Sequence, residues 1–369
     1  MSEDQHYEFQ ALDRPLTKDD LSYVRGLFSR VELTSHKVVF ACSLGEFKAS
    51  PQQLVERCFD AMLYQASFGI QQVMFRLPRS LLNPSLFAPY CVPGLLTIST
   101  VPEHILLNLK VVEEEDLGWI REDDWLTKLV PLRDDLLRGD FRMLYLAWLI
   151  AVQVELEEDD EDLIEPPVPP NLGNLSSALH AFIELFGLDE DLISAAAQNS
   201  PFEEEESEPI EAWIAALCEA ERNDFLVRMA RGESHVASQL VQRLRQLNQQ
   251  PRSRDQLELP RRSLADLMAI ALTLEKTRKT REQQIARQAR IAQLEALAPK
   301  EASLWQEVYR LIELKQTKAY DQAIEYLIDL RDLAEQQETL PQFFARIRKI
   351  RADYGSRAGL ISRLQQAGY

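Results

Sequence analysis

The motifs that usually announce chemistry are missing from this chain. Neither GxGxxG nor GxxxxGK followed by Ser or Thr occurs, which excludes the standard phosphate cradles. HExxH is absent, and so is a GxSxG nucleophile turn. The four cysteines, Cys42, Cys58, Cys91 and Cys218, form no CxxC pair. Each has apolar neighbours and is expected as a small buried hydrophobe in a reducing cytoplasm. The five histidines, His6, His36, His104, His180 and His235, are far apart, so a zinc site would have to draw ligands from separate segments. No cofactor and no metal are expected.

Basic residues are outnumbered by acidic ones, 41 to 59. The formal charge is −18, which argues against general affinity for nucleic acid, because a duplex repels a net anion. The start, Met1-Ser2-Glu3-Asp4, lacks the basic and apolar runs of a secretory signal. No uncharged apolar run of ~20 residues occurs, so no membrane span is expected. The nearest, FRMLYLAWLIAVQV at 141–154, reads as a buried helix.

What is present reads as an α+β chain, mostly helical. Residues 1–153 suggest an α/β sandwich, ferredoxin-like or related, in the order β-α-β-α-β-β-β. YEFQALD (7–13), HKVVFAC (36–42), QQVMFRL (71–77), LLTIST (95–100) and HILLNLKVV (104–112) are the strands, the last two forming a hairpin across Val101-Pro102-Glu103. Thr17 and Asp20 fit an N-terminal capping pair for a helix running to about Arg30. Ser50, Pro51 and Gln53 suggest a second, whose core face would carry Leu54, Val55, Cys58, Phe59, Met62 and Leu63. A longer helix, 123–154, is expected to break near Pro131 and Gly139, burying Trp125, Leu126, Leu144, Trp148 and Leu149. Arg138-Gly139-Asp140 reads as that break, with Asp140 as the next cap. A ligand shelf at Trp119 and Trp125 is the less favoured reading of GWIREDDW, after packing.

Residues 154–171 hold an acidic run ending at Glu165, followed by Pro166, Pro167, Pro169 and Pro170. The calcium-loop spacing and its glycine are not met, so this segment reads as a solvated linker between domains. Residues 172–250 have a helical period throughout and suggest a small bundle. Gly187 ends one helix there and Asp189 or Asp191 begins the next.

The charge sign changes at 251–300, where eleven basic residues face six acidic ones. A helix capped by Ser263 and Asp266 could run to Ala298, before Pro299. At 100° per residue, Lys276, Lys279, Arg287 and Arg290 share a stripe roughly 80° wide and are the candidate partner-binding residues. The stripe reads first as a solvated face, then as a surface docking on acidic protein (this chain's own linker among the candidates), and last as a nucleic-acid contact lacking aromatics. Residues 301–369 form a helical tail.

That tail carries a resemblance. Trp305 with Tyr320-x-x-Ala323-x-x-x-Leu327 resembles one degenerate tetratricopeptide-type hairpin, with a longer loop and Tyr309 at the expected glycine. Residues 305–369 also resemble the helical tail of bacterial SWIM zinc-finger proteins. That family's CxC and CxH ligands are absent, so metal binding does not carry over. The start YEFQALDRPLT is similar to that of an uncharacterised bacterial family, and this implies no functional residue. Together these features suggest a non-enzymatic adaptor, binding another protein in a bacterial cytoplasmic complex. The alternatives are a nucleic-acid-associated accessory factor using helix 262–298, or an enzyme with an unrecognised site in 1–153.

Overall fold

The computed structural model describes residues 4–27, 31–43, 49–112, 124–154, 163–202, 209–232, 235–248 and 261–369. The chain divides into two compact units, Met1–Leu274 and Glu275–Tyr369. The fold is α+β and mostly helical.

In the first unit, seven strands form one sheet among the described residues: β1 (Asp4–Gln10), β2 (Glu32–Leu33), β3 (Lys37–Ser43), β4 (Ala61–Ala66), β5 (Ile70–Pro78), β6 (Leu96–Thr100) and β7 (His104–Val112). Their order is β2-β3-β1-β4-β5-β7-β6, and every neighbouring pair is antiparallel. One face packs Tyr7, Phe9, Val38, Phe40, Met62 and Tyr64 against α1 (Lys18–Leu27) and α2 (Pro51–Arg57). Tyr7, Phe40 and Tyr64 stack there, with ring centroids 4.8 and 4.4 Å apart. The opposite face packs Leu63, Val73, Phe75, Leu107 and Leu109 against α3 (Trp125–Leu137) and α4 (Arg142–Val154).

Local chemistry explains most boundaries. The Asp20 N–H donates to Thr17 Oγ1 at 3.1 Å, and the Thr17 N–H donates to Asp20 Oδ2 at 3.1 Å, closing the capping pair of α1. Ser50 precedes α2 with Pro51 in the first turn, but its side chain accepts no capping bond. That helix stops at Arg57, so Cys58, Phe59, Met62 and Leu63 are not on it. Met62 and Leu63 belong to β4, which is buried on both faces and therefore shows no alternation. The break between α3 and α4 falls at Gly139 (φ 88°). Pro131 does not break α3; the buried Leu126, Leu129, Leu132 and Leu136 hold the helix through it. Asp140 then accepts the Arg142 N–H at 3.0 Å.

The apolar cluster of the α3–α4 face continues into α5 (Ser177–Phe186) and α6 (Glu190–Ala197). Gly187 closes α5 in the left-handed conformation (φ 61°), and Asp189 caps α6. Helices α7 (Ile210–Ala216), α8 (Glu219–Ala230) and α9 (Val236–Asn248) follow. The acidic run 155–162 lies outside the described residues, as do Trp119, 203–208 and Phe28. Glu165 does not fit the solvated-linker reading, since it is 1% exposed.

Glu165 pairs with Arg262. The guanidinium grips the carboxylate twice, Nε to Oε2 and Nη2 to Oε1, both at 2.8 Å. Arg262 Nη1 also donates to the Ala195 carbonyl at 2.9 Å, and the Tyr145 hydroxyl donates to Glu165 Oε1. Two main-chain bonds flank the pair: Glu165 N–H to the Arg262 carbonyl (3.0 Å) and Leu264 N–H to the Leu163 carbonyl (2.7 Å). This contact is made by Arg262, ahead of the basic helix, and not by the stripe residues Lys276, Lys279, Arg287 and Arg290. The clamp fixes the start of α10 (Leu264–Leu297), which Ser263 and Asp266 cap reciprocally. Leu264, Leu267 and Ala271 then enter the core of the first unit.

In the second unit, α11 (Glu301–Glu313), α12 (Thr317–Gln336), α13 (Leu340–Asp353) and α14 (Ala358–Gln366) enclose Trp305, Val308, Ala323, Leu327, Phe343, Ile347 and Leu364. Tyr320, Leu330 and Leu333 are buried as the helical spacing predicts, and Leu304 is half-buried.

Candidate functional site

The basic stripe lies on α10 within the second unit. Lys276, Lys279 and Arg287 are exposed and Arg290 is half-buried. Their surroundings differ. Arg290 Nη1 and Nη2 bind Asp329 (2.8 Å) and Asp332 (2.6 Å) of α12, so this residue ties two helices together. Those carboxylates hold its pKa above the ordinary value, with burial opposing. Lys279 pairs with Glu275 one turn earlier. Among the described residues Lys276 and Arg287 have no acidic partner, and neither does the exposed Arg281. The free charge therefore sits at Lys276, Arg281 and Arg287. The exposed Ile285 (56%) is on the same helix.

A second basic surface went unread in the sequence. On α13, Phe344, Arg348 and Arg351 are spaced i, i+4, i+7 and share one exposed face. Among the described residues neither arginine has an acidic partner, and Phe344 is 41% exposed. The signal was the i+4/i+7 spacing of one aromatic and two arginines, on the face next to the buried Phe343, Ile347 and Ile350.

Comparison with protein-family models, with curated proteins and with solved structures gives no match.

In the first unit the titratable groups that converge are bound to one another. Asp60, 1% exposed, accepts the Leu12 N–H (2.7 Å) and Asp13 N–H (3.0 Å) at Oδ2. At Oδ1 it accepts Arg76 Nε (3.0 Å) and Nη2 (2.6 Å). Arg133 donates to the Arg76 carbonyl (2.8 Å) and to Asp13 Oδ2 (2.7 Å). His235 Nε2 lies 2.9 Å from the same Asp13 oxygen, at a backbone φ of 63°. The carboxylates are saturated with donors, so the cluster holds β1, β4, β5 and α3 in register rather than presenting a free base.

Asp13 carries a pH consequence. Burial alone would raise its pKa, but the His235 hydrogen bond and the Arg133 charge outweigh it and hold the carboxyl well below the ordinary 3.8. A depressed folded-state pKa contributes stability above the unfolded value and loses it as pH falls. The protein is expected to lose stability progressively below about pH 4, and Asp13→Asn should flatten that slope. Denaturant midpoints between pH 6 and about 2.5 measure this; parallel curves for the two proteins would refute the assignment.

Among the described residues no group of three or more His, Cys, Asp or Glu is arranged to hold a metal ion. No described helix is long and apolar enough to cross a membrane. Cys218 is exposed, against the expectation of burial, because it ends the short break between α7 and α8. Trp125 is buried in the α3 core and not part of a shelf.

Proposed function

We propose that the chain is an adaptor that docks an acidic protein surface through the basic faces of its second unit. The observation that carries this reading is the set of exposed cations on α10 without acidic partners, Lys276, Arg281 and Arg287. A chain of net charge −18 that keeps such a surface has a local field opposite to its global one. Of these cations, Arg281 lies one turn before the exposed Ile285 and sets a basic side chain beside an apolar contact. The tetratricopeptide-like reading of α11 and α12 adds to it, because the fully buried Ala323 lets two helices approach closely. We place the adaptor in a bacterial cytoplasm on the sequence resemblances and the lack of paired cysteines.

The test is affinity capture from native cells with the full chain, against a variant carrying Lys276→Glu, Lys279→Glu and Arg287→Glu. Specific partners should be lost from the variant and kept by a Lys-to-Arg control. Retention of the same partners by the charge-reversed chain would sink the reading.

One observation favours a second reading. Phe344, one turn before Arg348 and two before Arg351, supplies the stacking aromatic that the α10 stripe lacks, as single-stranded nucleic acid would need. Oligonucleotide binding at low salt, falling steeply with added salt and lost in Phe344→Ala, would support it.

A further inference from the structure

Strand β6 ends the sheet, and among the described strands β7 is its one neighbour. An edge strand turns the main chain of every second residue outward. Here the hydrogen bonds show which residues these are. The Leu95 carbonyl accepts the Lys110 N–H at 2.8 Å, and the Val101 N–H donates to the His104 carbonyl at 3.0 Å, so odd-numbered positions face β7. Leu96 faces out and exchanges both of its bonds with Val92, at 2.9 and 3.1 Å. Ile98 and Thr100 face out as well, and among the described residues nothing takes up their N–H and C=O groups.

Proteins usually blunt such an edge with lysine, proline or a bulge. Leu96–Thr100 (LTIST) has no charge and no proline, in a chain that is 27% charged, and its register against β7 is unbroken. Thr97, Ser99 and Thr100 are exposed, and Ile98 is half-buried against the apolar cluster of the α3–α4 face. On the other face an uncharged row leads to the edge. Gln72 Nε2 donates to Asn108 Oδ1 (2.7 Å), and Asn108 Nδ2 donates to Thr97 Oγ1 (3.4 Å).

We propose that two copies of the chain join here, β6 antiparallel to β6, about a two-fold axis through Ser99. The open positions fix that register: Ile98 lies opposite the partner's Thr100, and the pair exchanges both main-chain hydrogen bonds. The ladder stops at Leu96, whose outer side Val92 already fills. A two-fold axis sets each side chain near its own copy, so a charge there would repel itself. An uncharged strand meets that condition, and a foreign strand would impose no such limit. The net charge of −18 opposes the approach of two copies, and salt screens it. Association should therefore strengthen with salt, opposite in sign to docking through the basic stripe. This inference is independent of that surface.

Sedimentation of the full chain between about 1 and 300 μM, at low salt and at about 0.5 M salt, tests it. The mass should rise toward a dimer with concentration, and further at high salt. Thr100→Pro removes an outward N–H and leaves the β6–β7 ladder whole. The hydrogen bond lost from each copy should weaken association about tenfold. Ser99→Lys, at an exposed position, sets like charges across the axis and should weaken it as well. A monomer at every concentration in high salt overturns the proposal and leaves the edge to a foreign strand. A dimer undiminished in the variants overturns it too, because the copies then meet elsewhere. The two changes act separately, so either one decides if the other does not fold.

Discussion

Asp60→Ala is expected to cost about 3–5 kcal/mol of folding stability, the effect of leaving buried charges without their partner. Arg76 would lose both of its carboxylate bonds, and the Leu12 and Asp13 N–H groups would lose their acceptor. Arg133 would keep Asp13, whereas the buried Arg76 would keep only its bond to the Glu56 carbonyl. Asp60→Asn keeps the shape and one acceptor oxygen, so it should cost less, though it removes the charge. Urea denaturation followed at the buried aromatic cluster of α1 and α2 measures both. A loss under about 1 kcal/mol for the alanine variant would mean the cluster is solvated and the saturation argument is wrong.

The second large effect is expected at Arg262. Arg262→Met leaves the Glu165 carboxyl buried without its cation, at a cost of about 3–5 kcal/mol. The double change Glu165→Leu with Arg262→Met removes both charges and should recover most of the loss, because an apolar pair of similar volume replaces an ion pair at little cost. Hydrogen exchange gives the local readout. The Leu264 amide, bonded to the Leu163 carbonyl, should lose protection in the single variant. Unchanged protection there would show that α10 is anchored by Leu264 and Leu267 alone.

Features decided within a few residues were legible in the sequence. Thr17 with Asp20, Ser263 with Asp266, Gly187, the Gly139 break and the hairpin across Val101-Pro102-Glu103 all follow from local rules of capping and turn formation. Strand β4 was not legible. Its six buried residues extend the apolar spacing of α2, and a doubly buried strand has no alternation to separate it from a helix. The charge networks were hidden for another reason. Arg133 meets Asp13 across 120 positions and Arg262 meets Glu165 across 97, so each residue alone reads as a surface charge. Glu165 was further masked by its acidic neighbours. On the stripe, angular position was readable, but the engagement of Arg290 by Asp329 and Asp332 depends on how α12 packs. The exposed members Lys276 and Arg287 were legible because nothing covers them.

The clamp at Glu165 bears on how the chain is made. Synthesis runs from the amino end, and domains generally fold as units behind it. Until Arg262 leaves the ribosome, Glu165 and the Ala195 carbonyl have no cation, and the bed for Leu264, Leu267 and Ala271 stands open. Closing a contact over that separation is entropically slow. The nascent first unit therefore passes a period with an apolar slot and a bare carboxylate side by side, and this is the interval in which a chaperone has most to protect.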